Sequence, residues 1–192
     1  MVELFYPSGS VPFVPARDAL IRHASEEILP LCDASGQVTA CALRSYCHSS
    51  ARPLHPVVHL HLLRRDGSLY LQKRSMEKDF LPGLWDTAVG GHITYGETVM
   101  EALYRESAEE LGLVDFAPVS LDSYVWESPR EREFVNVFAA VGSYMPQPDC
   151  KEVSEGRYWS FAEIEKCLSD SLFTPNFESE FLRVRAALEA LL

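Results

Sequence analysis

Positive charge is scarce in this sequence: 17 lysines and arginines stand against 28 aspartates and glutamates, a net charge of −11. A nonspecific nucleic-acid surface needs a basic footprint, so no nucleic-acid partner is expected. No apolar run approaches the roughly 20 residues that span a bilayer, so no membrane partner is expected either. Paired cysteine is also missing. The five thiols, Cys32, Cys41, Cys47, Cys150 and Cys167, are odd in number and form no CxxC pair, which reads as reduced cysteine in a cytoplasmic protein. The opening stretch MVELFYPSGSVPFVP lacks the basic and apolar regions of a signal peptide, in keeping with that location. There is no internal repeat and no low-complexity tract. What is present is ordinary globular composition over 192 residues, enough for one domain with an extension and a proper core.

Turn signals and periodicity divide the chain. Residues 1–15 are expected to wrap the surface, and ARDALIRHASEEI reads as a short helix. ILPLCDASGQVTACAL places apolar runs either side of a DASG turn, a hairpin pattern. HPVVHLHLLRRDGSLYLQKRS is a second hairpin about a DG turn, with Val58, Leu60 and Leu62 on one face. ETVMEALYRESAEEL is a helix closed by Gly112, and strands follow in VSLDSYVWES, EFVNVFAAVGSYM and GRYWSF. AEIEKCL and NFESEFLRVRAALEALL read as closing helices. Strands and helices mix without a regular βαβ repeat, which favours an α+β fold with helices around a mixed sheet. The expected organisation is an N-terminal extension with helix and hairpin over 1–50, then one folded unit over 51–192.

The helix carries an unusual load. Arg105, Glu106, Glu109 and Glu110 crowd one turn, although like charges at such spacings repel by roughly 0.2–0.5 kcal/mol per exposed pair. At 100° per residue, Met100, Leu103, Tyr104, Ser107 and Leu111 form an apolar stripe, and the three glutamates gather opposite it. A divalent cation would offset the repulsion, since hard cations take oxygen ligands. A solvated acidic helix face is the alternative.

The spacing supplies a further clue. Gly91, five residues, Glu97, seven residues, then Arg105 to Leu113 as RESAEELGL resembles the Nudix box, GX5EX7REUXEEXGU. Every fixed residue is present, Gly112 included; Ser107 alone departs, standing where the family has an aliphatic side chain. Its hydroxyl is expected to bond a backbone carbonyl one turn back. The resemblance implies a Nudix fold, an α/β/α sandwich around a mixed sheet, and hydrolysis of a diphosphate linkage in a small phosphorylated substrate of the nucleoside diphosphate type. It implies Mg²⁺ or Mn²⁺ held by Glu106, Glu109 and Glu110. Arg105, Glu109 and Glu110 would be catalytic, with Arg105 orienting a glutamate. Glu109 could act as base as well as ligand. Glu152 and Glu155 are weaker alternatives, read first as ordinary loop charges.

Three imidazoles and two carboxylates, His48, His55, His92, Glu131 and Glu133, would make an adequate second divalent-metal site. Polar loop histidines and a satisfied strand terminus are the alternative. The region from Glu27 to about Ala140 resembles isopentenyl-diphosphate isomerase, which binds a metal through an H-x6-H pair, a histidine after VCG and an E-x-E. Those positions here carry the five residues just named. By the same resemblance Arg74 and Lys78 match diphosphate contacts, and Lys73 is a further basic candidate. Trp85 could stack on a base, cap a cleft or simply pack. His59 and His61 alternate onto one strand face and are read as structural. The isomerases carry a cysteine directly before the GH, where this chain has Gly90, and glycine cannot act as acid or nucleophile. They also lack the complete REUXEE set that this chain keeps. Hydrolase is therefore the expectation, with isomerase-like chemistry or a non-catalytic nucleotide-binding module as the alternatives.

Overall fold

Hairpins dominate the first half of the chain because tight polar turns separate its apolar runs. A computed structural model describes residues 26–192. The expected wrap of residues 1–15, and nearly all of the helix expected in ARDALIRHASEEI, lie outside the described residues. Strands β1 (Ile28–Cys32) and β2 (Val38–Leu43) pair antiparallel. Asp33 fixes their turn, its Oδ1 accepting from the backbone N–H of Ser35 at 2.8 Å and of Gln37 at 3.1 Å. A single helical turn, α1 (Arg44–Cys47), follows.

The second hairpin joins β3 (His55–Leu63) to β4 (Ser68–Arg74). All nine residues of β3 are buried, so both of its faces are covered and the alternation read from the sequence does not mark a solvent side. Short strands β5 (Trp85–Asp86) and β6 (Val89–His92) lead to α2 (Val99–Leu111). Strands β7 (Val119–Glu127), β8 (Arg132–Val141) and β9 (Val153–Ser160) precede α3 (Phe161–Cys167) and α4 (Pro175–Glu189). Seven strands share one sheet in the order β5-β4-β3-β8-β7, with β6 on β3 and β9 on β4. The class is α+β with a mixed sheet and an N-terminal hairpin, as the sequence led us to expect.

The described chain divides into two compact units. The first comprises residues 26–58, 91–102 and 123–136. It holds the β1–β2 hairpin, with Leu29, Ala42 and Cys47 packed together and Cys32 beside Leu54 and Phe134. Burial pushes the Cys32 and Cys47 thiols up to about 12, so neither is a thiolate at neutral pH. The second unit comprises residues 59–90, 103–122 and 137–192. Its core is aromatic: Trp85 meets Trp159 edge-on at 5.1 Å, Trp159 meets Phe173 at 5.5 Å, and Phe177 stacks on Phe181 at 5.8 Å. Burying Phe173, Phe177 and Phe181 contributes roughly 1.5–3 kcal/mol each. Capping fixes where the last two helices start. Ser160 and Glu163 form a capping box, and Thr174 caps α4 ahead of Pro175. Among the described residues, no helix is long and apolar enough to cross a membrane.

Candidate functional site

Helix α2 begins at a reciprocal cap, Thr98 and Glu101 each bonding the other's backbone N–H. Just upstream, the Glu97 carboxylate accepts the Thr94 N–H at 2.9 Å, so this glutamate pins the turn entering the helix. At the other end Gly112 takes φ +61°, and the Leu113 N–H returns to the Ser107 carbonyl at 3.0 Å. Ser107 is buried, and its hydroxyl donates to the Leu103 carbonyl at 2.7 Å, the back-bond expected of it.

The helix is rotated from the expected stripe. Met100 and Tyr104 are partly exposed, while Ala102, Leu103, Ser107, Glu110 and Leu111 are buried. Glu110 therefore lies on the packed face, not opposite it, because the helix is covered along its Ala102–Glu110 side as well. Arg105 Nη1 donates to Glu106 at 2.8 Å and to the exposed Glu109 at 3.2 Å, holding two of the three carboxylates.

Glu110, only 6% exposed, is the unusual one. Gln72, in β4, donates from Nε2 to Glu110 Oε2 at 3.2 Å, and the Gly90 backbone N–H also bonds this carboxylate. Burial, reinforced by the charges of Glu106 and Glu152, pushes its pKa up to about 8 against the pull of Lys78 and Gly90. The loop carrying Glu152 is organised by Asp149, whose Oδ1 accepts three backbone N–H groups at 3.0 Å each. Gln72 was missed in the sequence; an amide inside a strand otherwise apolar at Leu69–Leu71 was the available signal. The donor set suits a hard divalent ion: acidic oxygens, one of them desolvated and destabilised in its charged form.

The sign of this shift gives an expected result. Glu110 has a folded pKa above its unfolded value, so its contribution to metal-free stability is lost as pH rises from about 4.5 through about 8. Metal-free Glu110→Gln should escape that loss and exceed metal-free wild type in stability at pH 9. Excess Mg²⁺ should reverse the order, stabilising wild type by about 2.7 kcal/mol at a hundredfold excess over Kd and the variant much less. Urea unfolding in EDTA and then in Mg²⁺ measures both halves. A variant weaker in EDTA at pH 9 and equally responsive to Mg²⁺ would mean that Glu110 holds no metal.

The basic candidates all have protein partners. Lys78 pairs closely with Glu152, and Lys73 lies 3.7 Å from Glu155. Arg74 donates to the Phe80 carbonyl at 3.0 Å and reaches Asp86 at 3.4 Å, which fixes the guanidinium against β5 and its preceding loop. Trp85 is buried against Trp159, so packing is the role its geometry favours.

In the first unit, His48, His55 and His92 converge, with ligand atoms within 4.8 Å of one another. The Nε2 atoms of His48 and His92 are 3.1 Å apart, and Glu131 Oε2 lies 3.7 Å from His48 Nε2. Glu133, two residues along, is buried at the start of β8. His55 Nδ1 bonds the Pro53 carbonyl at 3.0 Å, while its buried Nε2 has no hydrogen-bond partner. That bond assigns the proton to Nδ1 and leaves Nε2 with a lone pair. Burial lowers both His48, to about 4, and His55, so both are neutral at pH 7 as metal ligands must be. An orphaned imidazole nitrogen facing two others fits a divalent transition metal.

Residues 53–179 match the family model described as NUDIX domain. The chain belongs to the Nudix family. Among curated relatives, an isopentenyl-diphosphate Delta-isomerase of Streptomyces griseus is 27% identical over 93% of this chain and 96% of its own length. One of Salmonella heidelberg is 32% identical, covering 86% of this chain and 93% of the relative. A crystal structure from Deinococcus radiodurans superposes with TM-score 0.71 at 22% identity, over 82% of this chain and 99% of that one, a likeness of fold.

Proposed function

We propose that this Nudix protein is a metal-dependent hydrolase that cleaves a diphosphate linkage in a small nucleoside diphosphate-type substrate. The observation that carries the reading is Gly90. It is exposed, and a Cβ built on it would stand in ordinary contact with its neighbours at 3.4–3.7 Å, so a side chain is sterically admissible yet none is present. The proton-handling cysteine of the resembling isomerases thus has no counterpart, whereas the carboxylates of the box are all retained.

Glu106, Glu109 and Glu110 would hold Mg²⁺ or Mn²⁺. When bound, such an ion supplies positive charge to diphosphate oxygens and acidifies water. The chain's own groups set the stage for that chemistry. Arg105 orients Glu106 and Glu109, Gln72 orients Glu110, and Lys78 offsets charge beside Glu152. Lys73, Arg74 and Lys78 are the candidate phosphate contacts, reached by exchange of their present partners.

A second reading, isomerase-like chemistry, is favoured by the histidine group and by the names of the relatives. A second divalent ion at His48, His55 and His92, with Glu131 3.7 Å from His48 and Glu133 two residues after Glu131, fits either activity. One experiment separates them. Phosphate or nucleotide release from a panel of nucleoside diphosphate compounds is expected with Mg²⁺ or Mn²⁺, and isopentenyl diphosphate should emerge unchanged. Dimethylallyl diphosphate formed at a sustained rate by the purified chain would reverse the choice.

A further inference from the structure

Strand β4 turns Tyr70 and Gln72 onto one face of the sheet as alternate residues, and both are buried. One polar atom of each, the Tyr70 hydroxyl oxygen and Gln72 Oε1, has no hydrogen-bond partner among the described residues. Buried polar groups are rarely left so, and two on one short face call for a reason.

The two atoms have complementary needs. Burial, helped by Tyr158, pushes the Tyr70 hydroxyl up to about 12, so it keeps its proton at neutral pH and has a hydrogen to give. Gln72 Oε1 can only accept. They are also close. In register, Gln72 faces Gly156 of β9, and a Cβ built on Gly156 would fall 1.8 Å from the Tyr70 hydroxyl oxygen. Side chains of facing residues leave the sheet on the same side, with Cβ atoms about 4.5–5.5 Å apart. The phenol therefore leans along the strand into the gap that Gly156 leaves beside Gln72. Tyr158 closes the other side, its ring edge-on to Tyr70 at 5.2 Å and its own hydroxyl donating to the Tyr144 carbonyl at 3.1 Å.

Gln72 has a second end. Its Nε2 donates to Glu110 at 3.2 Å, whereas an amide turned about would set Oε1 against a carboxylate oxygen, lone pair to lone pair. A cation needs Glu110 charged and held still, so the choice matters. Packing does not make it, because the two ends of an amide have nearly the same shape. A hydrogen-bond donor directed at Oε1 does.

We propose that Tyr70 is a positioning residue for Glu110, acting through Gln72 and one buried water that accepts from the Tyr70 hydroxyl and donates to Gln72 Oε1; this rests on the metal-ligand role given to Glu110 in the reading above. The water joins a missing acceptor to a missing donor, the service buried waters commonly perform. With Oε1 engaged, Nε2 stays on Glu110 and holds the carboxylate from behind, as partners of metal ligands do. Gly156 makes the space, since a side chain there would displace the hydroxyl.

The test uses the full chain and reads Mg²⁺ affinity by isothermal titration beside urea unfolding in EDTA. Tyr70→Phe removes the hydroxyl alone and should weaken Mg²⁺ binding about 10–100-fold, the usual result of losing a partner behind a metal ligand. A hydroxyl with a merely structural role would lower stability in EDTA and leave Mg²⁺ affinity untouched, and that outcome overturns the proposal. Because Tyr70 acts through Gln72, the losses should not add. Gln72→Met should weaken Mg²⁺ binding by itself, and Tyr70→Phe placed on it should change affinity by less than about twofold. Additive losses overturn the relay. Should Tyr70→Phe fold poorly, Gly156→Ala serves instead, since its methyl would push the hydroxyl aside and should reproduce the loss. A crystal structure of the wild-type chain should show a water within hydrogen-bond distance of both the Tyr70 hydroxyl and Gln72 Oε1; a gap without it overturns the proposal. Wild-type protein that binds no Mg²⁺ overturns the role of Glu110 and this inference with it. Mg²⁺ binding lost in Tyr70→Phe, with no diphosphate of the panel hydrolysed by wild type, overturns the hydrolase reading alone and supports the relay.

Discussion

Glu110→Gln should lower hydrolytic turnover on the order of a hundredfold or more, the scale on which removing one transition-state charge partner acts. Glutamine keeps the shape of the side chain and can still meet Gln72 and the Gly90 N–H after its amide rotates. What it loses is the negative charge, and the charge is the costly feature at this buried position. A loss confined to turnover, with helix content by circular dichroism unchanged, is the expected pattern. Glu109→Gln should act in the same direction, although Glu109 is exposed and bound to Arg105, so its folded structure should be still less affected. Wild-type turnover in both variants would remove the box carboxylates from the chemistry.

His55→Ala should strip the first unit of its retained transition metal. Purified wild-type protein is expected to keep a divalent ion through dialysis, measured by elemental analysis. Removing the imidazole with the orphaned Nε2 should weaken that binding by more than the 10–100-fold typical of losing a supporting partner around a metal site. Mg²⁺-dependent stabilisation through α2 should survive, since its ligands lie on another element. Acid should release the same ion. His48 has a folded pKa of about 4 and burial lowers His55 as well, so the stability they contribute is present above the unfolded value of 6.5 and lost as pH falls through their folded values. Wild-type protein with no metal after soaking in Mn²⁺ or Zn²⁺ would leave three histidines packed for structure alone.

Much of the fold was legible because its signals are local. The DASG and DG turns delimit both hairpins, and Gly112 closes α2 as its position after the helix led us to expect. The rotation of α2 was not legible. A stripe drawn through Met100 and Tyr104 counts hydropathy and ignores which neighbours arrive, and those neighbours cover Ala102 and Glu110 instead. His59 and His61 could be assigned to one face of β3 from alternation, but nothing in β3 announced a carboxylate 121 residues away.

The sequence by itself determined the family, the hairpins, the helix that carries Arg105, Glu106, Glu109 and Glu110, and the absence of a side chain at position 90. These depend on spacing along one segment, where backbone geometry converts residue intervals into directions. Only the tertiary structure decided that Glu110 is buried beneath Gln72, that Lys78 is engaged by Glu152, that His48, His55 and His92 meet, and that Glu180 splits its two oxygens between His59 and His61. Each of those outcomes turns on which groups lose water together when distant segments pack, and desolvation is set by neighbours in space rather than by order in the chain.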